Sequence, residues 1–355
     1  MRNCVSEITR MRTFALHIAA LLHLRYSTAK VFASFSSSID SSFTKRRDTS
    51  AVIPHIRHKV PLKLDLGSTS ITDIGFAAGA GAPSLAAPAS RIHADVGRYR
   101  LRLAETAEDR EAACRLRFKV FNIELGEGLE SSYDTGLDVD RFDTVCEHLL
   151  VEDKTSRQVV GTYRMQSGET AARHLGYYSE QEFCLKPYEP LRPGILELGR
   201  ASIDREHRTP EVLMLLWRGI AQYATDMGLR YLLGCSSLNS NDPAEGWRMY
   251  RQLENFRVAR EFETAPTAAY ACPPELQEAD AQPTACQTDR SGFPATPAAQ
   301  GKVPKLLKTY LAIGARIAAP PAWDREFRTI DFLTLLDLKL LSAAARNRFL
   351  APLTS

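Results

Sequence analysis

Charged side chains that can perform acid–base chemistry recur inside otherwise apolar stretches of the sequence. They form four clusters: Arg117-Phe-Lys-Val-Phe121 with Glu124, Leu137–Asp143 followed by Cys146-Glu-His148, Gly161-Thr-Tyr-Arg164, and Leu196-Glu-Leu-Gly-Arg200. A carboxylate can accept a proton from an amine, and an arginine can bind a carboxylate through two parallel hydrogen bonds. Taken one at a time, each cluster has a simpler interpretation as an ion pair between neighbouring strands or as a solvated acidic loop.

The strong motifs of several other enzyme classes are absent from the sequence. It contains no GxxxxGKS/T phosphate loop, no HExxH zinc motif and no GxGxxG dinucleotide fingerprint. Gly234-Cys-Ser-Ser237 resembles part of a nucleophile elbow, but Leu238 stands where that motif requires glycine. The 7 cysteines form no CxxC pair, which favours a reducing compartment over a disulfide framework. We therefore expect no metal site, no bound cofactor and no covalent serine mechanism.

Hydrophobic periodicity predicts the strands and helices that must position these clusters. Strands are predicted at Tyr99–Leu103, His148–Glu152, Val159–Met165, Ile195–Ile203 and Arg230–Ser236, and helices at Thr106–Asn122, Glu211–Met227, Glu245–Leu253 and Val303–Ile317. Thr106 is the expected N-cap of the first helix, with Asp109 three positions later. Phe332–Leu341 suits either a strand or a buried helix. This alternation predicts an α/β fold.

Composition divides the chain into four parts. We expect a basic, low-complexity or disordered extension at residues 1–97, an α/β core at 98–265, an Ala/Pro-rich insertion or loop at 266–300 and a C-terminal part at 301–355. Residues 1–104 hold 15 Lys and Arg against 6 Asp and Glu, a charge that could contact an anionic surface. The formal net charge of the whole chain is only +3, which argues against a nucleic-acid partner.

One segment near the start of the chain, Phe14–Leu24, superficially resembles a signal peptide. Two histidines interrupt its apolar run, and it is too short to span a bilayer. No other stretch reaches about 18 uninterrupted apolar residues. We therefore expect a cytoplasmic protein without a transmembrane helix.

A series of motifs follows the clusters in a fixed order between residues 98 and 340. They are RxxVFxxE (117–124), DxDxFD (138–143), CEHLLV (146–151), VVGTYR (159–164), LELGR (196–200), LLWRGIAQY (215–223), YLLGCSSL (231–238), VPKLLKTYLAIGA (303–315) and AWDREFRTIDFL (322–333). In this order they resemble the ornithine N-acyltransferase branch of the GNAT-like acyltransferases. That branch is often labelled hemolysin-like and is related to acyl-homoserine-lactone synthases. The resemblance implies a GNAT-like fold, in which helices flank a mixed central β-sheet.

The resemblance also implies an acyltransferase chemistry, in which a primary amine attacks an acyl thioester. Glu197 would accept the proton of the amine, directly or through water. Arg164 or Arg200 would pair with Glu197, fix its position and lower its pKa. The expected substrate-binding residues are Arg117, Phe121, Glu124, Asp138, Asp140 and Asp143. The three aspartates would offer negative charge to a dibasic amino acid such as ornithine, and Arg117, Arg164 or Arg200 would bind its carboxylate through two hydrogen bonds. Backbone N–H groups near Gly199–Ser202 or Gly234–Ser236 would stabilise the developing oxyanion.

The implied acyl donor is a long fatty acyl chain, with or without a 3-hydroxyl group, on acyl carrier protein, which brings its own phosphopantetheine. The loop Asp204–Glu211 lacks the glycines of the acetyltransferase pyrophosphate loop, which fits a carrier-bound donor. Because such carriers are acidic, we expect a basic docking patch. Its expected residues are Arg205, Arg208, Lys305 and Lys308, with Arg218 and Lys302 as further members. Met214 and Trp217 could line an acyl tunnel, although core packing is the simpler role for both.

The resemblance implies that the product is lyso-ornithine lipid, made from L-ornithine and a (3-hydroxy)fatty acyl group in the first step of ornithine lipid biosynthesis. An amphipathic product leaves open a peripheral contact with the inner face of the cytoplasmic membrane. Two alternatives stay open at this point. One is N-acylation of another amine, including a homoserine-lactone-type synthase, and the other is a binding or membrane-perturbing protein without enzymatic activity.

Overall fold

The computed structural model describes residues 92–278 and 302–349, and a mixed β-sheet forms its centre. The strands are β1 His93–Val96, β2 Tyr99–Leu103, β3 Glu147–Asp153, β4 Gln158–Ser167, β5 Ile195–Ile203, β6 Tyr231–Leu238, β7 Arg316–Ile317, β8 Ala322–Asp324 and β9 Thr329–Asp337. The α-helices are α1 Ala107–Phe118, α2 Ser132–Thr135, α3 Gly168–Arg173, α4 Pro210–Asp226, α5 Pro243–Gln252, α6 Glu275–Glu278, α7 Lys305–Ile313 and α8 Ala343–Phe349. A π-helix at Lys119–Leu125 continues α1.

The strand order of the sheet is β1-β2-β3-β4-β5-β6-β9-β7, and β8 also pairs with β9. Every neighbouring pair is antiparallel except β5 and β6. Helix α4 makes the crossover that a parallel pair requires. Because Pro210 occupies its first turn and the Thr209 hydroxyl accepts a hydrogen bond from the Val212 N–H, this helix has a well-defined start.

Helices α1 and α4 cover opposite faces of the sheet because side chains alternate along β3. Leu149 and Val151 belong to the same buried cluster as Leu216 of α4, whereas Leu150 packs with Ala113 of α1. All three β3 side chains are fully buried. Truncating Leu149 or Leu150 to alanine would therefore cost about 2–5 kcal/mol of unfolding free energy.

Most predicted elements agree with the structure, and the differences lie at their ends. Thr106 caps α1 through the N–H of Asp109, as expected. The predicted helix Val303–Ile317 is wrong at its C-terminal end, because α7 stops before Gly314, whose φ is 114°. The ambiguous segment Phe332–Leu341 contributes most of its length to strand β9. Among the described residues, no helix combines the length and the apolar character that crossing a lipid bilayer demands.

The predicted parts of the chain map onto the structure as follows. The sheet begins at His93, inside the range 1–97 that was assigned to the extension. The start of the predicted 266–300 insertion is ordered, since Pro266 and Ala271 form bridges to Phe183 and Ala322. The rest of both predictions, at residues 1–91 and 279–301, lies outside the described residues.

A fork between β5 and β6 prepares the functional site. The two strands pair only from Ile195–Tyr231 to Glu197–Leu233, although both continue for several residues. At the fork, a Cβ on Gly234 would lie 2.2 Å from the Leu198 carbonyl oxygen, so only glycine allows this approach. Beyond it, the strands separate and leave a wedge between them.

A β-bulge distorts the outer side of the same fork. Opposite β4, the register shifts between Thr162 and Arg164, and Arg200 lies in the bulge with a φ of 50°. A left-handed conformation is costly for arginine, and such strain concentrates at functional sites. The bulge therefore determines where the Arg200 guanidinium points.

Candidate active site

The wedge between β5 and β6 opens into a cavity of about 600 Å³. One wall is apolar, and Phe121, Trp217 and Tyr310 contribute to it. The other wall carries charged groups, including Arg164, Glu197 and several further carboxylates. A cavity of this size with convergent polar groups on an apolar background is typical of small-molecule sites. The arrangement can hold a polar substrate and an aliphatic chain side by side.

Glu197 lies at the apex of the fork, because it is the last residue of β5 that pairs with β6. It is only 5% exposed, and its carboxylate accepts hydrogen bonds from the N–H groups of Tyr178 (2.9 Å) and Ser179 (2.8 Å). Burial raises the pKa of Glu197 above its ordinary value, although the two N–H donors and Arg164 oppose the shift. A fixed carboxylate with a raised pKa is suited to accept a proton from an amine.

Glu197 makes no ion pair with Arg164 or Arg200, which contradicts the expected pairing. Desolvation raises the pKa of Glu197 overall, because it outweighs the attraction of Arg164, which lowers this pKa as expected of a neighbouring arginine. Backbone N–H groups, rather than a guanidinium, fix the carboxylate.

Instead, three arginines and three aspartates form a closed cycle of ion pairs, here named the arginine–aspartate ring. Its N–O distances are 2.8 Å for Arg117–Asp138, 3.4 Å for Asp138–Arg200, 2.9 Å for Arg200–Asp140, 2.6 Å for Asp140–Arg164, 3.0 Å for Arg164–Asp143 and 2.7 Å for Asp143–Arg117. Each carboxylate bridges two guanidinium groups, so the buried charges compensate one another. Burial alone would raise the pKa of Asp143, but the attraction of Arg117 and Arg164 outweighs burial and holds this pKa well below its ordinary value.

The ring separates the predicted site residues into two groups. Arg164 and Arg200 line the cavity together with Glu197, and so does the predicted Phe121. Arg117, Asp138 and Asp143 are at most 1% exposed and do not line it. This placement contradicts the expectation that Asp138, Asp140 and Asp143 offer free negative charge to an amine, because the arginines neutralise them. Arg117 is likewise fully engaged and cannot reach a substrate carboxylate.

Glu124 and Arg208, which were predicted for substrate binding and for carrier docking, pair with each other instead. The Arg208 Nη2 lies 2.7 Å from the Glu124 Oε2, and its Nε donates to the Ile203 carbonyl. This pair joins the π-helix to the loop after β5. Neither side chain lines the cavity.

Of the remaining basic residues predicted for docking, Arg218 is half-buried on helix α4 and does not line the cavity, and the others lie around helix α7 and in the turn after β5. Lys302 is exposed and lines the cavity, and Lys305 is exposed on the first turn of α7. Lys308 is half-buried, and Arg205 is exposed in the turn Arg205–His207. Thus Lys302 is the basic residue of this predicted set that reaches the cavity rim.

The apolar wall combines the π-helix, α4 and α7. Trp217 of α4 packs edge-on against Tyr310, with ring centroids 5.4 Å apart, and both line the cavity. Leu125 and Leu306 also line it while remaining partly exposed, so they form its rim. Trp217 therefore both packs in the core and lines the cavity, whereas Met214 packs against the core and does not line the cavity.

A cluster of three buried carboxylates, which the sequence analysis missed, forms part of the charged wall. This acidic cluster consists of Glu182, Asp324 and Asp331, whose ligand atoms lie within 4.8 Å of one another. All three line the cavity, and such a group could hold a cation. Asp331 is a charged residue in the apolar strand β9, and this contrast was the available signal in the sequence.

Comparison with known proteins identifies the relatives of the chain. A family model described as an acetyltransferase (GNAT) domain matches residues 116–218. The L-ornithine N(alpha)-acyltransferase of Brucella abortus (strain 2308) is 32% identical over 272 residues, which are 72% of this chain and 92% of the relative. The enzyme of the same name from Rhizobium meliloti (strain 1021) is 31% identical over 276 residues, 75% of this chain and 89% of the relative.

Among solved structures, the acyl-homoserine-lactone synthase LasI is similar to the chain. It is 12% identical, with a TM-score of 0.39, over 72% of this chain and 97% of LasI.

Proposed function

The chain belongs to the L-ornithine N(alpha)-acyltransferase family, and from this premise we propose that it acylates the α-amino group of L-ornithine. The proposed donor is a fatty, or 3-hydroxy fatty, acyl thioester on acyl carrier protein, and the proposed product is lyso-ornithine lipid. This reaction would be the first step of ornithine lipid biosynthesis. The observation that carries the proposal is the position of Glu197, a buried carboxylate at the apex of a cavity with one charged and one apolar wall.

In the proposed reaction, Glu197 acts as the general base. An α-amine with a pKa near about 8 is largely protonated at neutral pH and must lose that proton to become a nucleophile. The amine nitrogen attacks the thioester carbonyl, a C–N bond forms, and the C–S bond breaks. Glu197 takes one proton from the ammonium and passes it to solvent, and after the attack the nitrogen loses a second proton. The sulfur leaves as a thiolate and takes up this second proton to become the free carrier thiol. The products are one amide and one thiol.

Backbone groups at the fork are the proposed stabilisers of the developing oxyanion. Beyond Glu197 and Leu233, the facing edges of β5 and β6 do not hydrogen-bond to each other. Segments 199–201 and 234–236 both border the cavity there. Fixed N–H groups in a site shielded from water stabilise such charge strongly, because they need no reorganisation during the reaction.

Arg200 is the proposed ligand of the substrate carboxylate. It lines the cavity, and its buried Nε, which lies 3.4 Å from the Asp138 Oδ2 in the ring, makes no hydrogen bond among the described residues. The ring of Tyr178 lies 4.8 Å from its guanidinium carbon and restricts its movement. Arg164 also lines the cavity, but it donates to both Asp140 and Asp143.

The apolar wall is the proposed site of the acyl chain. Trp217, Tyr310 and Leu336 present apolar surface next to the fork. At the rim, the exposed Lys302 supplies positive charge that matches an acidic carrier protein. Leu125 and Leu306, which are 41% and 37% exposed, would let the rim contact a membrane surface when the amphipathic product leaves.

Product analysis with the purified chain tests this function. The chain would be incubated with 3-hydroxyacyl carrier protein and, separately, with L-ornithine, glycine or S-adenosylmethionine, and products would be identified by mass spectrometry. We expect an N-acylornithine and an equal amount of free carrier thiol. A product only with glycine would indicate another amine substrate, and an acyl-homoserine lactone would indicate a synthase of that class. Substituting acyl-coenzyme A for the carrier tests the donor.

A further inference from the structure

The acidic cluster has features that the proposed reaction does not use. Glu182, Asp324 and Asp331 are 2%, 3% and 3% exposed, and each comes from a different segment of the chain. Glu182 follows the turn Tyr178–Glu180, Asp324 ends β8, and Asp331 lies within β9. All three line the same cavity as Glu197.

The cluster lacks partners for its negative charge. Within residues 92–278 and 302–349, no arginine, lysine or histidine forms an ion pair with any of the three carboxylates. The Oε2 of Glu182 and the Oδ1 of Asp331 are buried and accept no hydrogen bond. A buried, unpartnered oxygen costs free energy in the empty protein, so two of them facing one cavity point to a ligand that supplies the missing positive charge.

The second amino group of the proposed substrate carries the positive charge that the cluster lacks, and it belongs to the same molecule as the reacting amine. The cluster and the proposed base share one short segment, because Tyr178 and Ser179 donate to Glu197 while Glu182 follows three residues after Ser179. Because Glu197 and the cluster line the same cavity, an amino acid whose α-amine faces Glu197 can present its side chain to the cluster. A neutral side chain would leave those oxygens unpaired.

We propose that Glu182, Asp324 and Asp331 form a recognition site for the side-chain ammonium of the acceptor amino acid, and that this site selects dibasic over neutral acceptors. The proposal rests on the proposed function for the identity of the ligand. It assigns two separate carboxylate sites to the two amines of ornithine. Glu197 receives a proton from the reacting amine, and the acidic cluster holds the other amine in its charged form.

The charge of the cluster fits a monocation better than a divalent metal ion. Burial raises the pKa of Glu182 well above its ordinary value, and the nearby Asp331 and Asp324 raise it further. Burial likewise raises the pKa of Asp331 to about 6. At neutral pH the empty cluster therefore carries fewer than three negative charges, and the guanidinium of Arg200 offsets part of the remainder. A single ammonium with three N–H donors satisfies the two free oxygens.

A substrate comparison tests the proposal directly. L-Norvaline has the carbon skeleton of ornithine without the side-chain amine. With saturating acyl carrier protein donor, we expect wild-type protein to favour ornithine over norvaline in kcat/KM by at least about 100-fold. In Asp331→Asn and Glu182→Gln, this ratio should fall by at least tenfold, mainly through a higher KM for ornithine. Glu169→Gln is the matched control, because Glu169 is an exposed carboxylate outside the cavity, and it should keep the wild-type ratio.

A binding measurement without donor separates the failure of this proposal from the failure of the proposed function. We expect millimolar ornithine, but not norvaline, to raise the melting temperature of wild-type protein by about 2–4 °C, and to have no such effect on Asp331→Asn. This result would support the ammonium site even if no acyl transfer occurred. Equal use or equal binding of ornithine and norvaline by wild-type protein would overturn the proposal. So would a preference for ornithine that disappears with EDTA and returns with Mg²⁺, Ca²⁺ or Mn²⁺, since the cluster would then be a metal site.

Discussion

Two buried polar regions border the same cavity, and they differ in how their charges are matched. In the arginine–aspartate ring, three guanidinium groups alternate with three carboxylates, and every carboxylate touches two cations. In the acidic cluster, three carboxylates face one another, and two of their oxygens have no partner. The ring balances its charges within the protein, so it stabilises the fork and fixes Arg200, although the Asp138 Oδ1 and the Arg200 Nε make no hydrogen bond among the described residues. The cluster has no cationic partner among the described residues, and it is the region to which we assign the substrate ammonium.

The largest expected effect comes from breaking the ring. Asp143→Ala would leave Arg117 and Arg164 buried with one counter-charge fewer, and the free energy of unfolding should fall by about 3–5 kcal/mol. Denaturant unfolding measures this change. The control Glu169→Gln removes an exposed pair with Arg173 and should have no measurable effect. A loss below about 1 kcal/mol in Asp143→Ala would mean that the ring does not stabilise the fold.

In the acidic cluster, removing a carboxylate is expected to raise the free energy of unfolding rather than lower it. Burial first, and then the neighbouring Asp324, raise the pKa of Asp331 from 3.8 to about 6, with Ser237, Thr329 and Arg200 opposing. The native protein therefore binds more protons than the unfolded chain between about pH 4 and 6, and its unfolding free energy falls as the pH rises through this window. Asp331→Asn cannot ionise and should be more stable than wild type at pH 7.5, by about 1–3 kcal/mol.

Unfolding curves at pH 4 and pH 7.5 check this prediction. The stability advantage of Asp331→Asn should shrink to below about 1 kcal/mol at pH 4, where the native carboxyl is protonated and the unfolded carboxyl, with a pKa of 3.8, is only partly ionised. The titratable neighbours Glu127, Glu182 and Asp324 remain in both proteins, so the difference isolates residue 331. A variant less stable than wild type at pH 7.5 would show that the cluster is already satisfied without a ligand, like the ring.

The smallest effect is expected outside both regions, at the rim. Lys302→Glu should raise the KM for acyl carrier protein several-fold and weaken its dependence on salt, because exposed charges mainly affect encounter. Steady-state kinetics at two ionic strengths measures this. Lys186→Glu changes an exposed lysine that does not line the cavity and serves as the control. Equal effects of the two substitutions would remove Lys302 from the docking surface.

The sequence predicted the elements around the cavity because their hydrophobic periods are clear. Helix α4 and strand β5 lie within two residues of their predicted bounds. The nature of Phe332–Leu341 could not be decided, because β9 is buried on both faces from Thr329 to Leu336 and its sequence therefore lacks alternation. The helical spacing of apolar residues in α7 continues by chance to Ile317, so the sequence pattern did not indicate that the helix ends at Gly314.

The pairing of charges was less predictable than their positions. The sequence placed Arg164, Glu197 and Arg200 in one region, and the structure brings all three to the cavity. It could not show that Arg200 turns to Asp138 and Asp140, because that direction depends on the β-bulge and its positive φ. Asp324 and Asp331 belong to a motif that carried the family resemblance, but their proximity to Glu182 arises only when β8 and β9 pair.

The central claim is that Glu197 receives the proton of the attacking amine, and single-turnover acyl transfer tests it most directly. Wild-type protein and Glu197→Gln would be compared at saturating ornithine and acyl carrier protein donor, with melting temperatures recorded for both. We expect Glu197→Gln to remain folded, since an amide oxygen can still accept from Tyr178 or Ser179, and to transfer the acyl group about 100-fold more slowly. A rate within about threefold of wild type in folded Glu197→Gln would contradict the account.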